Sequence, residues 1–532
     1  MKQFQAVVLA GCSALVLTGC GADDVVAPGG SIIINPAPTP TPSTGVPGGS
    51  VTAAAASSCT PGTTDGGTIA LQNNRGTIRN CVIQGPVITG TLTLSGRRAD
   101  GIMYSLNGRT EVGRDVDLAN GAAATFNVLP GVTVFAATKE STLIVNRGSR
   151  INADGTQAQP IIFTALANLT GAGITEKSDN LWGGLIINGR APISDCDPLF
   201  STSNVGGTLG CSRNAEGLST PALYGGNVAN DNSGVLRYVQ VNFTGVGVNA
   251  SEIQGITTGG VGSGTVMSYI QIHNSLDDGI EIFGGTQNLD HLVLTGIADD
   301  SFDTDFGYTG STQFLFAARR AAGNPGDSVT NQTMFEIDST AAPDASPRQY
   351  LKVANFTLLQ NTPGETAIRL RGGADADFAN GIVVARSTGT VGCLDVDNAE
   401  TVRTAGTYNG TPDRGLPRFF SVVFDCDTLV DPDGDTFEET VLNNAENTNV
   451  NRAFTNTLQF LTGSSVGRVA NGANETAVVA TPSLGSISAF FQQVNYIGAF
   501  SGPNDNWTRD WTCNSDVADL RGALGCIDIR VF

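Results

Sequence analysis

Short segments in which apolar and polar residues alternate recur through the middle of the chain. Val235–Val241 (VLRYVQV), Val266–Ile272 (VMSYIQI), Leu289–Leu294 (LDHLVL) and Phe314–Phe316 (FLF) are the clearest, and the last three follow one another at 22 to 25 residues. Alternation with a period of two predicts strands with one apolar face. Gly, Asn and Asp fill the gaps, as turns require. Each segment is too short to be stable alone, so neighbours must stack to bury the apolar side, and a repeat of about 22 residues matches one coil of a parallel β-helix. Sandwiches and propellers also use short strands, but their connections seldom keep one register.

One repeat can be checked residue by residue. Asp277-Asp278-Gly279-Ile280-Glu281 shifted by 22 lands on Asp299-Asp300-Ser301-Phe302-Asp303, apolar on apolar and carboxylate on carboxylate. Thr142–Thr164 reads as two strands flanking Gly-rich turns, and Ala367–Val384 has the same texture.

The N-terminus follows a different pattern. Lys2 precedes a short apolar run, Ala6–Leu17, too brief to span a bilayer, and Leu17-Thr18-Gly19-Cys20 follows. Small residues ahead of a cysteine at that place look like a lipobox, so residues 1–19 are expected to be removed and Cys20 acylated. Gly21, not aspartate, follows the cysteine, which favours the outer membrane and leaves the facing side open. Residues 20–55 are expected to be a tether, with Pro36, Pro38, Pro40 and Pro42 alternating with small residues in an extended polyproline pattern.

Composition narrows the classes. A net charge of −20, with lysine only at 2, 139, 177 and 352, argues against nucleic acid and against adhesion to anionic lipid by charge. The 67 glycines beside only 15% charged residues read as an all-β chain with many turns. Outside the signal's Cys12 and Cys20, the cysteines fall in neighbouring couples: Cys59 with Cys81, Cys196 with Cys211, Cys393 with Cys426, Cys513 with Cys526. None has CxxC spacing, so local disulfides formed in an oxidising compartment are expected.

The motifs LWGGLIINGRAPI (181–193), DDGIEIFGG (from Asp277), DDSFDTDFGYTG (from Asp299), YIGAF (496–500) and the Trp507–Thr512 run resemble a family of large secreted β-helix proteins. These occur as surface lipoproteins and cell-surface proteins of Gram-negative bacteria. The resemblance spans roughly residues 120 to 512. It implies a right-handed parallel β-helix, a pectate-lyase-like solenoid with disulfide-closed loops, over residues 56–440, and a small C-terminal set of coils or cap over 441–532. It implies no established activity, and no catalytic residue transfers.

Four groups of residues bear on the chemistry. Alternation along Asp299–Tyr308 places Asp299, Ser301, Asp303 and Asp305 outward and Phe302, Phe306 and Tyr308 inward. Stacked coils bring Asp277, Asp278 and Glu281 within about 5 Å of Asp299, Asp300 and Asp303. So many like charges need neutralising. Calcium is one remedy, and arginine, from Arg237, Arg319, Arg369 or Arg371, is another. The same aspartates could instead cap turns or form a catalytic carboxylate pair. A second acidic group, Asp431, Asp433 and Asp435 with Glu438 and Glu439, resembles the opening of a calcium loop. It departs from the EF-hand, having Thr436 and Leu442 where that loop needs Gly and Glu. His273 and His291 are out of step with the coil period and read as structural. Trp182, Trp507 and Trp511 read as packing at coil ends, with a sugar-stacking platform as the other use.

These features predict a lipid-anchored envelope protein whose rigid body binds glycan, a receptor or another cell-surface protein without catalysis. The rival is a polysaccharide-degrading glycosidase or lyase, with acids among Asp277, Asp278, Asp299, Asp300 and Asp303, and Arg369 or Arg371 as a lyase base.

Overall fold

A computed structural model describes residues 53–246, 253–320, 332–339, 342–362, 366–386, 391–461, 468–522 and 524–529. The expected signal, Cys20 and most of the tether lie outside these residues. The body is a parallel β-helix whose walls are two long parallel sheets. The alternating segments pair in their sequence order: Val235 with Val266, Met267 with Leu289, and Leu292 with Leu315.

An early coil has three strands, Thr142–Val145, Arg150–Asp154 and Ile161–Ala165, one more than the alternation suggests. In the next coil the last two are continued by a single bent strand, Gly234–Thr244, which pairs with both. Six further bent strands stack on it, ending at Arg418–Cys426. The bend falls at Tyr238, Tyr269, His291, Phe314, Asn355, Asn380 and Ser421, all with φ between 50° and 60°. Left-handed backbone at a non-glycine residue costs of order 1–3 kcal/mol, and Asn tolerates it best. At Tyr238, Tyr269, His291 and Phe314 the cost is offset by ring stacking, with Tyr269 4.4 Å from Tyr238 and His291 4.2 Å from Tyr269.

The opposite wall is a ten-stranded sheet running from Val87–Ile88 to Leu394–Val396. Its inward residues, Ile280, Phe302, Phe335 and Ile368 among them, meet Ile270, Leu292, Leu315 and Phe356 of the bent strands in one continuous core. Each residue stacks on its equivalent one coil away, so the core is built from nearest-neighbour contacts. All four cysteine couples form disulfides as paired above.

The ends differ from expectation. At the N-terminal end, Thr63–Ala70 lies antiparallel on Thr77–Ile83 and covers the first coil. At the other end the helix Phe437–Leu442 closes the core with Val441 and Leu442. Residues 441–532 are therefore only partly a cap. From Thr481 the chain turns back as a strap along the outside of the bent strands. Amide side chains hold its backbone: Asn380 accepts from Thr481 N, Gln313 exchanges two bonds with Gln492, and Gln271 exchanges two with Cys513. Near its end, Gln72 donates to the carbonyl of Ile527 and Arg75 to that of Ile529.

The tryptophans are packed, but not at coil ends. Trp182 is fully buried in the core, its indole N–H on the Asn242 carbonyl. Trp511 of the strap is also fully buried, edge-on to Tyr238 and Tyr269, and Trp507 packs on His291 and Phe500.

Candidate functional site

Between the strands Leu185–Asn188 and Gly234–Thr244 the chain makes a long excursion over the outer face of the ten-stranded sheet. Its apolar residues Ile193, Ala215, Ala222 and Tyr224 pack on Ile144, Ile186 and Phe283, which point out from the core. Tyr224 can lie flat there because strand residue 259 is glycine: a Cβ on Gly259 would come within 2.3 Å of the ring. The Cys196–Cys211 disulfide closes the outer part of the excursion into a loop.

Beneath and beside this cover, outward residues of successive coils line up in a row. Glu281 pairs with Asp303, Asp303 with Glu336, Glu336 with Arg369, and Arg369 with Asp395. The carboxylates thus face away from the core, as alternation predicts, yet Asp278, Glu281, Asp300 and Asp303 are buried. Asp278, Glu281 and Asp303 each bring an oxygen within 4.8 Å of the others, and so do Asp300, Asp303 and Glu336. Asp277, Asp278 and Asp299 form a third such set at the turn. Asp305 belongs to none of them.

The neighbours of these acids decide what they can do. Asp278 accepts the amide of Asp300, 22 residues on, at 2.9 Å, and Asp300 accepts the amide of Thr333. For one oxygen of each, the turn-capping role holds. Asp303 is different: it is 8% exposed, belongs to two of the carboxylate sets, and its Oδ1 has no hydrogen-bond partner. Burial, then neighbouring carboxylates, pushes Asp278, Glu281, Asp300 and Asp303 well above the usual carboxylate range. Asp305 is raised to about 7 by burial and Asp338, with Arg371 opposing.

The arginines serve mainly other acids. Arg371 lies 3.1 Å from Glu336 and 2.9 Å from Asp338, and Arg369 lies 3.2 Å from Asp395 and 2.7 Å from Asp397. Arg319 donates to the carbonyls of Ala298 and Asp299, and Arg237 sits 3.6 Å from Asp154. Held in ion pairs, Arg369 and Arg371 are poor bases for a lyase.

The predicted alternation fails at one place. Phe306 has φ 50°, which ends the strand and turns its ring outward onto Phe283, 5.3 Å away, while Tyr308 returns to the core. Phe283, Phe306 and Tyr224 therefore form an aromatic stack beside the acids, with Arg213 4.5 Å over the Phe306 ring. Of these, Phe306 was expected inward, and Tyr224, Phe283, Arg213, Glu216 and Glu336 were not singled out from the sequence. Glu336 could have been found by carrying the outward row one coil further, but the spacing of 22 gives way there to a longer coil.

The second acidic group also changes membership. Asp431 accepts the amide of Gly392, so it leaves the set, and of the two glutamates Glu438, not Glu439, lies with Asp433 and Asp435 within 4.8 Å. Asp433 and Asp435 cap amides of Asp435 and Phe437, and Glu438 accepts from Val396 N. The histidines are built into packing. His273 is fully buried, held below its ordinary range by burial and Arg320, with Nδ1 on Thr295; His291 lies between Tyr269 and Phe314, against Asp290.

A family model described as a pectate-lyase-like β-helix domain matches residues 90–511. The chain belongs to that family. No curated protein and no solved structure matches it.

Proposed function

We propose that this chain is a lipid-anchored β-helix of the cell envelope, acylated at Cys20 and held at the outer membrane, that binds its ligand on the acidic face beside the Cys196–Cys211 loop and performs no catalysis there. Calcium serves as its structural ion, held by Asp278, Glu281 and Asp303 with Asp300 and Glu336 as neighbours. The observation that carries this reading is Asp303, whose buried oxygen lies between two sets of carboxylates and has no donor. A hard divalent cation suits an all-oxygen set of this kind, and it would keep ionised the groups that burial otherwise protonates.

Titration calorimetry of residues 50–532 with calcium tests the ion. One site lost in Asp303→Asn is expected; no heat in the wild type would refute it. Cys20→Ser should release the full chain from membranes, and retention in high salt would refute the anchor. One observation favours a second reading: the Asp305 carboxyl, poised near 7 in a pocket open to solvent, has the protonation of a general acid. New reducing ends or unsaturated products from a polysaccharide panel, lost in Asp305→Asn, would establish it in place of a non-catalytic role.

A further inference from the structure

The Cys196–Cys211 loop, which contributes Asp197 to the same pocket, has a character of its own. Among the described residues seven large hydrophobic side chains are exposed, and three of them, Leu199, Val205 and Leu209 at 85%, 56% and 60%, lie inside the Cys196–Cys211 loop. The loop is tied down on every side. The disulfide closes its base, Thr202 and Ser203 donate to the Gly210 carbonyl so that its limbs lie side by side, and Gly207 N bonds the Ile193 carbonyl. Three aliphatic side chains held in water on a rigid frame gain nothing for the fold, and such patches mark interaction surfaces.

What the loop borders is acidic. Asp197, whose Oδ1 caps the amide of Leu199, lines the open pocket together with Glu216, Glu281, Asp303 and Asp305. The two arginines of that lining are drawn to acids outside it, Arg213 to Asp195 at 2.8 Å and Arg371 to Glu336 and Asp338. With an ion keeping the deeper carboxyls ionised, acids outnumber the arginines of the lining five to two. Beside it the Phe306 ring already carries the Arg213 guanidinium at 4.5 Å, with Tyr224 and Phe283 buried beneath, so a cation entering the pocket meets carboxylates rather than ring faces.

Resting on the binding role above, we propose that this loop and the pocket it borders dock a protein segment carrying an arginine or lysine flanked by apolar residues. The cationic side chain enters the pocket toward Asp305 and Asp197, and the flanking residues cover Leu199, Val205 and Leu209. Apolar contact supplies the area, and the charge pair sets register and excludes acidic partners.

Fluorescence polarisation on residues 50–532 tests this with the labelled peptide Gly-Leu-Leu-Arg-Leu-Leu-Gly, its Glu-for-Arg version, and a version with serine for every leucine. Each is measured in calcium and in chelator. Binding of the first is expected, with at least a tenfold loss for either altered peptide. The double variant Leu199→Ser/Leu209→Ser should lose at least tenfold while its melting temperature stays unchanged, since both side chains are already in water. Asp305→Asn should lose affinity for the arginine peptide and not gain it for the glutamate one. Equal binding of the arginine and glutamate peptides, or loop variants that bind as the wild type does, would overturn the proposal. So would glucosamine oligomers that bind through Asp305 regardless of the leucines, which would make the partner a cationic sugar. Absent calcium heats with intact peptide binding would refute the ion and leave the docking surface standing.

Discussion

Two stretches of the outer surface are covered by chain that does not belong to the coils, and they are covered in opposite ways. Over the bent strands, the strap meets a row of Gln and Asn side chains and a ladder of rings. Its carbonyls and amides are answered one by one, and Trp511 is fully buried. Over the flat sheet, the Cys196–Tyr224 excursion meets a row of carboxylates and leaves Asp303 and Asp305 each with an oxygen lacking a donor. Burying a polar group without a partner costs about 1–3 kcal/mol, and more when it is charged. On the strap side the unpaired atoms include neutral ones such as Asn380 Nδ2 and Thr508 Oγ1, whereas over the flat sheet they are oxygens of stacked carboxylates, a set suited to something the fold does not itself contain.

The strap should carry the larger share of stability. Trp511→Ala removes a fully enclosed ring and should cost about 3–5 kcal/mol, read as a lowered urea midpoint. A variant that melts like the wild type would mean that the strap merely lies on the surface. Next, Cys196→Ser/Cys211→Ser should release a loop of sequence separation 15, worth about 3 kcal/mol in the chain-entropy account. Because this loop covers one face only, faster hydrogen exchange should be confined to residues 195–219 while the bent strands stay protected. Spread of exchange into the strap would erase the distinction between the two sides.

Calcium at a hundredfold its dissociation constant should add about 2.7 kcal/mol. Asp303→Asn should abolish that gain yet be at least as stable as the wild type in chelator, since an amide need not take up a proton on folding. The smallest effect is that of pH. In chelator, the raised carboxyls hold protons in the folded state that the unfolded chain releases, so their contribution is present in acid. For Asp305 it is lost as pH rises from about 4 through about 7. The urea midpoint of the wild type should therefore fall between pH 5 and 8 without calcium. With calcium the trend should reverse, because the ion needs ionised ligands. A midpoint flat over this range in both media would show that the carboxylates titrate as solvated groups.

The coils were legible because inward positions such as Met267, Leu289 and Ile270, Leu292 repeat at a fixed interval with the same chemistry. The acidic pairing of Glu281 with Asp303 followed from the same interval. The rest was hidden for identifiable reasons. Glu336 falls out of step because the coil that follows Asp303 is longer. Phe306 looked inward because alternation assumes that a strand continues, whereas the backbone turns left-handed there. The strap's path left no mark although its YIGAF and Trp507–Thr512 motifs were readable: Gln271 and Gln313 hold its main chain, and main chain is the same in every sequence. Nor did Arg213 or Tyr224 announce themselves, since a loop's contacts depend on where its ends are anchored.

A stack of coils that touch only their neighbours behaves like a row of weakly linked units, and such a row can fray from either end. Gln72 reaching the Ile527 carbonyl, 455 residues away in sequence, turns the row into a closed circuit. The first coil then cannot open without loosening the last stretch of polypeptide, so the two ends share one melting event. The same closure means that assembly finishes only once the final residues are available, whatever order the coils form in. Loop closure over that distance is slow, and until it happens the ring ladder from Tyr238 to Phe314 stands bare. An internally complete solenoid shortened by its last fifty or so residues would therefore be a sticky, end-frayed intermediate rather than a smaller version of the same protein.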